Sequence, residues 1–200
     1  MVSSALIAID GSRRRERQWL ADPGVETPPA ATAVHGITTG HARAHGRPHA
    51  EVIAETVAGI RQGWREGRTL VAFNACFDLT ILRRWDPSFE IEGPVVDPFV
   101  VDRATDPFRP GRRTLAAVCD VHGVRLDAAH EAAADALAAA RLAWKMMGTV
   151  PELSLPDWRA VNEKQAGWHR ARQRDFAAYL ERVGRDPSEV STAWPLVGAA

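Results

Sequence analysis

The sequence predicts an α/β domain: a mixed sheet flanked by helices, with a helical extension at the C-terminal end. Three observations carry this expectation. A short apolar run from Ser4 to Ile9 meets Asp10-Gly11 and is followed by a second strand-like segment, the pattern of a β-hairpin. Beyond it, helical and strand-like segments alternate, which places strands of a sheet between helices. Thr69 to Asn74 and Pro94 to Asp97 read as short buried strands, the first because its apolar run is unbroken.

The elements follow in order. The second strand covers Arg15 to Leu20 and alternates toward Trp19 and Leu20. Asp22-Pro-Gly and Pro28-Pro29 mark a loop. Between Pro48 and Glu66, the residues Ile53, Val57, Ile60 and Trp64 recur at helical spacing, so one stripe of that helix is buried. A helix over Phe77 to Trp85 follows the strand at Thr69 to Asn74. Thr114 caps a helix that ends at Gly123. Glu131 to Met147 is Ala-rich and helical. Pro151 to Pro156 is a linker. A last helix spans Trp158 to Val183, with Val161, Gln165, Trp168, Phe176, Tyr179 and Leu180 near one face. The chain divides accordingly into a domain over residues 1–150 and an extension over 151–200.

A chain of 200 residues buries roughly 70% of its unfolded surface, enough for a core of its own. Basic and acidic side chains number 25 each, so the net charge is zero. No global field draws nucleic acid, and any such binding must come from local clusters. There are two: Arg13-Arg14-Arg15, and Arg109-Pro-Gly-Arg112-Arg113. The second, built around a Pro-Gly turn, is the better candidate for a phosphate clamp. Cys76 and Cys119 sit in apolar stretches and form neither a disulfide framework nor a CxxC metal knuckle. Free buried thiols in a reducing cytoplasm are expected. The apolar run Ala5 to Ile9 is too short for a signal peptide or a membrane span, so no membrane partner is expected.

Two acids stand out. Asp78 lies at the start of a helix just past a buried strand. Stabilisation by the helix dipole explains a carboxylate there, but ligand sites of open α/β sheets also lie beyond the carboxyl ends of strands. Asp135 interrupts a run of alanines, although Asp costs up to ~0.7 kcal/mol against Ala inside a helix. A solvated surface acid explains it, and so does a metal ligand brought close to a strand by small neighbours. His130 precedes Asp135 by five residues, about 140° around a helix. The two share no helical face, so His130 is expected in the loop before the helix, folded back over the site. A single loop histidine is usually inert, yet a neutral imidazole also suits a general base near neutral pH.

Asn74-Ala-Cys-Phe77-Asp78-Leu79 is similar to the second motif of the epsilon-type (DnaQ-like) DEDDh 3′→5′ exonucleases. His130-Glu-Ala132-Ala-Ala-Asp135-Ala136 resembles their third, His-x-Ala-x-x-Asp-Ala. Val34-His35-Gly36-Ile37-Thr38 resembles a loop upstream of the second. The likeness spans Val2 to Met147, and the tail with Gln165, Trp168, Phe176, Tyr179, Leu180 and Trp194-Pro195 resembles an extension of actinobacterial members. The resemblance implies a ribonuclease-H-like fold, two divalent ions (Mg or Mn) and removal of nucleotides from 3′ ends. By it, Asp78 and Asp135 are metal-site carboxylates and His130 is the base that deprotonates water. His35, Asn74 and Phe77 contact the terminal nucleotide, and Arg109, Arg112 and Arg113 the strand. Single-stranded DNA is favoured over RNA, and a DNA polymerase is a candidate partner.

The family's first motif, a central strand carrying Asp-x-Glu, is missing. Ser12 stands where the Glu would follow Asp10, and Asp10-Gly11 matches the hairpin turn between the second and third strands. A start assigned too far downstream and evolved loss of the strand both explain the gap. The first reading makes the chain an N-terminally shortened exonuclease, weak or inactive in this form. The second makes it a non-catalytic nucleic-acid-binding or polymerase-associated module that has lost its metal site.

Overall fold

The hairpin forms as expected. In the computed structural model, which describes residues 1–127 and 131–198, β1 (Ser3–Asp10) and β2 (Arg13–Asp22) pair antiparallel with Asp10 opposite Arg13. Gly11 in the turn has φ +56°, a conformation that costs glycine nothing. Arg13, Arg14 and Arg15 are exposed, while Trp19 is buried and donates its indole N–H to Glu55 Oε2 at 2.7 Å.

Two helices occupy the stretch expected as loop: α1 (Pro29–His35) and α2 (Thr39–His45). Each spans seven residues and is set by its ends. Pro29 opens α1, where a missing N–H is harmless, and Gly36 closes it at φ +73°. The Thr38 hydroxyl accepts from the His41 N–H and caps α2. Neither is long enough to show a periodic stripe. A two-residue strand, β3 (Arg47–Pro48), then runs parallel to the end of β2.

The helix α3 (His49–Arg65) buries Ile53, Val57, Ile60 and Trp64, the stripe expected from spacing. After it the structure departs from expectation. The strand expected over Thr69 to Asn74 is only β4 (Leu70–Val71), half-buried, and it pairs parallel with β5 (Val95–Val96) alone. Its length is limited by its neighbours. Among the described residues the strands form two separate sheets, β1-β2-β3 and β4-β5, with no strand joining them. A ladder with one partner satisfies only half of a strand's backbone groups.

The helix α4 (Ala75–Trp85) follows β4, and α5 (Pro98–Thr105), not expected from the sequence, follows β5. The Thr114 hydroxyl accepts from Ala117 N–H and caps α6 (Leu115–Val121). α7 (Ala132–Met147) buries Ala138, Ala139, Leu142, Ala143 and Met146. The expected linker holds a 3-10 turn over Pro151–Ser154. The final helix, α8 (Trp158–Arg182), buries Val161, Gln165 and Leu180. Phe176 and Tyr179 do not join that core: they are 36% and 46% exposed and stack on each other at 6.4 Å.

One apolar cluster gathers the α3 stripe with Leu79, Phe89 and Trp194, a second gathers α5, α6, α7 and Val161, and a third, smaller one holds Trp19, Ala21 and Val52. The C-terminal extension thus belongs to the two larger cores. Among the described residues, no helix is long and apolar enough to cross a membrane.

Candidate active site

The turn from β4 into α4 is where the sequence places its strongest chemistry, and its geometry is set by one buried acid. Asn74 sits at φ +62°, ψ +51°, the only non-glycine residue with positive φ among those described. A left-handed Asn is tolerated but not free. Asp97, 1% exposed, holds it there: its carboxylate accepts from the N–H of Asn74 at 2.8 Å, of Ala75 at 2.9 Å and of Phe99 at 3.0 Å. Asp97 therefore fastens the start of α4 to β5 and caps α5 at the same time. Burial pushes its carboxyl above the usual range, outweighing the donors that hold it down.

The extension completes this network. Gln165 of α8, fully buried, accepts from Asp97 N–H at 2.9 Å and donates to Val95 O at 2.7 Å. Trp194 donates its indole N–H to Asp97 Oδ2 at 3.4 Å. Val197 N–H reaches Thr80 Oγ1 on α4 at 2.9 Å. Cys76 lies under this tail, and burial together with Asp97 pushes its thiol up to about 12, so it is inert as a nucleophile. Gln165 and the Trp194-Pro195 pair are visible in the sequence, but nothing local there marks Asp97 as their target.

On the outer side of the turn, Phe77 and Asp78 face solvent side by side, Phe77 at 64% exposure. Although Asp78 is exposed, its carboxyl is pushed up to about 6, first by desolvation against the body of the protein and then by the charge of Asp97. These two outweigh a backbone hydrogen bond that works to lower it, while solvent screening tempers their size. A bare carboxylate with an exposed aromatic beside it provides an oxygen ligand for a hard cation and a face for a base.

The remaining candidates lie as follows. Asp135 is half-buried in the first turn of α7, and its charge contributes to raising the thiol of Cys119. His130 lies outside the described residues. His35 ends α1, half-buried, and its Nδ1 accepts from Ile37 N–H at 3.1 Å. That bond places the ring proton of the neutral form on Nε2. Arg109 and Arg113 turn inward onto Asp102, which is 1% exposed: Arg109 Nη2 lies 2.6 Å and Arg113 Nη1 2.7 Å from its Oδ2, with His122 Nε2 3.3 Å from Oδ1. Burial works to raise the Asp102 carboxyl, but the bonds from Arg113, His122 and Arg109 together outweigh it and hold it below the usual range. Only Arg112 of the expected clamp remains exposed. Among the described residues, no group of three or more His, Cys, Asp or Glu side chains gathers to hold a metal ion. Asp78 and Asp135 do not by themselves make a two-ion cage.

A family model described as Exonuclease matches residues 3–143. The matched span begins at β1, includes Asp78, His130 and Asp135, and ends within α7. A search of curated proteins found none that matches the chain.

Proposed function

The chain belongs to the exonuclease family, with its DEDDh type of ribonuclease-H-like domain, and from that premise we propose that it is the body of a 3′→5′ exonuclease. The substrate is the 3′ end of a nucleic acid, with single-stranded DNA favoured. The observation that carries this reading is Asp78, an exposed carboxylate of raised proton affinity beside exposed Phe77 at the end of β4, within the matched span. Asp78 and Asp135 would be the carboxylates that hold divalent cations, and the chemistry such ions would supply there is activation of a water and stabilisation of charge on the phosphodiester. His130 takes the proton from that water. His35, Asn74 and Phe77 hold the terminal nucleotide, and Arg112 is the member of the arginine loop left to meet the strand. Residues 1–150 form the nuclease unit, and residues 151–200 brace it and are the candidate surface for a DNA polymerase.

Among the described residues no closed ligand set forms, and we propose that further carboxylates come from an upstream strand. The separation of β1-β2-β3 from β4-β5 supports this, because a strand between them would join the two sheets. The 200-residue chain is then weak or inactive alone. The second reading, a module that binds nucleic acid without cutting it, draws on the same observation.

The test uses a 3′-labelled single strand with Mn²⁺. The protein extended upstream to include an Asp-x-Glu strand should trim it, and Asp78→Ala or Asp135→Ala should abolish trimming while leaving the fold intact by circular dichroism. Wild-type rates in either variant reject the ligand assignment. Binding without cleavage by the extended protein favours the second reading.

A further inference from the structure

A cavity of about 240 Å³ opens between α5 and α8 and reaches the turn at Asn74. Its walls include Asn74, Phe99 and Arg103 from the matched domain and His169, Arg172 and Phe176 from the extension. The arginine loop is not among its walls, and two of that loop's guanidinium groups, those of Arg109 and Arg113, are committed to Asp102.

The polar atoms of this cavity are unusual. Arg103 Nε and His169 Nε2 are shielded from water and have no hydrogen-bond partner, a state native structures ordinarily avoid. Among the described residues, neither Arg103 nor Arg172 forms an ion pair with an acid. Each instead lies over an aromatic ring, Arg103 4.5 Å from the centroid of Phe99 and Arg172 5.7 Å from that of Phe176. The rings orient the guanidinium groups without neutralising them. No acid pairs directly with either guanidinium, and Asp102 acts on Arg103 only through space, behind the opposing charges of Arg172 and Arg113. Burial and then the charge of Arg172 pull Arg103 below its ordinary value, and burial, with Arg103 nearby, does the same to His169.

We propose that this cavity is a strand-binding subsite, which takes a backbone phosphate and its adjoining base from a single-stranded nucleic acid whose 3′ end lies at Phe77 and Asp78. Arg103 and Arg172 meet the phosphate, which supplies the charge and the acceptor the cluster lacks. Phe176, 36% exposed at the rim, gives the base a stacking face. Asn74 lies at once on the cavity wall and at the start of the helix carrying Asp78, so a strand leaving the catalytic edge passes into the cavity. The volume, below the ~300–1,000 Å³ of a site that encloses a whole drug-sized ligand, suits one phosphate with its sugar rather than a free nucleotide swallowed entire. The subsite rests on the nuclease reading for its substrate. It also gives the extension a task beyond bracing Asp97.

The experiment measures binding of a fluorescein-labelled oligothymidylate by the full chain, without added metal so that no cleavage intervenes, across a salt series. Arg172→Gln and Phe176→Ala alter exposed side chains and leave the fold intact. Each should weaken binding about three- to tenfold. Arg172→Gln should also lower the slope of log affinity against log salt by about 0.7, the value for one phosphate contact on a single strand. Arg103→Gln should do the same, with its melting temperature checked because Arg103 is half-buried. Arg170→Gln, an exposed arginine of α8 outside the cavity, should leave affinity within about twofold. Unchanged binding in Arg172→Gln and Phe176→Ala overturns the proposal, as does an equal loss in Arg170→Gln, which marks unspecific attraction to the helix. If cleavage by the extended protein does not depend on Asp78 while the cavity variants still lose binding, the catalytic assignment fails and the subsite stands.

Discussion

Trp194 donates its indole N–H to the buried carboxylate of Asp97 at 3.4 Å, so the end of the chain is tied to the turn that presents the candidate catalytic acid. Asp97 in turn holds the first backbone N–H groups of α4. A residue far outside the matched span thereby fixes the direction in which Asp78 leaves the sheet.

Trp194→Ala should destabilise the protein by about 3–5 kcal/mol, the range for removing a large aromatic from a packed core. Trp194→Phe should cost about 1 kcal/mol, because it keeps most of the apolar contact and loses one long hydrogen bond. Urea denaturation separates the two. Equal losses would mean that the indole N–H, rather than the packing of Trp194 at 9% exposure, secures the tail.

Asp78→Asn should stabilise the fold while abolishing metal-dependent cleavage by the upstream-extended protein. A carboxyl raised in the folded state holds its proton more tightly there than in the unfolded chain. Ionising it costs stability, fully above about pH 6 and not at all well below its ordinary value of 3.8. The variant should therefore melt higher than wild type at pH 7–8, and the gain should vanish by about pH 4. Asp78 is exposed, so screening keeps the gain small, about 1–3 °C by calorimetry. A variant that melts lower at pH 8 would show that support of the α4 terminus outweighs desolvation.

Asp102→Asn works in the opposite sense. Its carboxyl is depressed in the folded state, so its stabilisation is present above the ordinary value of 3.8 and is lost as pH falls through the lower folded value. Removing the charge takes from Arg109 and Arg113, at 12% and 9% side-chain exposure, the one buried carboxylate they share, and leaves Arg113 its backbone carbonyls and Arg109 the more exposed Asp106. At pH 7 the loss should be about 3–5 kcal/mol. In strong acid the variant and wild type should converge. A constant gap at all pH values would rule out the ionised form of Asp102 as the source of the stability.

In the upstream-extended protein, His130→Ala should lower turnover by about 10²–10⁴-fold while leaving oligonucleotide affinity unchanged. The wild-type rate should fall at acid pH as the imidazole gains a proton, and that limb should disappear in the variant. An unchanged profile would leave water activation to the cations.

The local elements and the motif residues are written in short-range chemistry. The α3 stripe is a matter of helical spacing. The β1-β2 hairpin follows from Asp10-Gly11, and the start of α6 from the Thr114 cap. Asp78, His130 and Asp135 stand out by position only weakly, and it is their resemblance to the exonuclease motifs that singles them out as candidates. The short helices α1, α2 and α5 were harder to read, since each is set by its terminal residues and is too brief for a periodic face.

Tertiary structure decided the rest. Strand β4 stops at Val71 although its apolar run continues, because a ladder extends only where a neighbouring strand offers partners. The arginines at 109 and 113 look alike in sequence to a solvated basic loop, yet both close on Asp102, because a buried carboxylate attracts whichever cations the fold brings within reach. Gln165 and Trp194 serve Asp97, and Arg103 meets His169 and Arg172, only once α8 has packed against β5 and α5. Periodicity and turn chemistry act over a few residues and survive in the sequence. Hydrogen bonds and charge contacts between distant segments depend on which surfaces meet, and only the closed fold determines that.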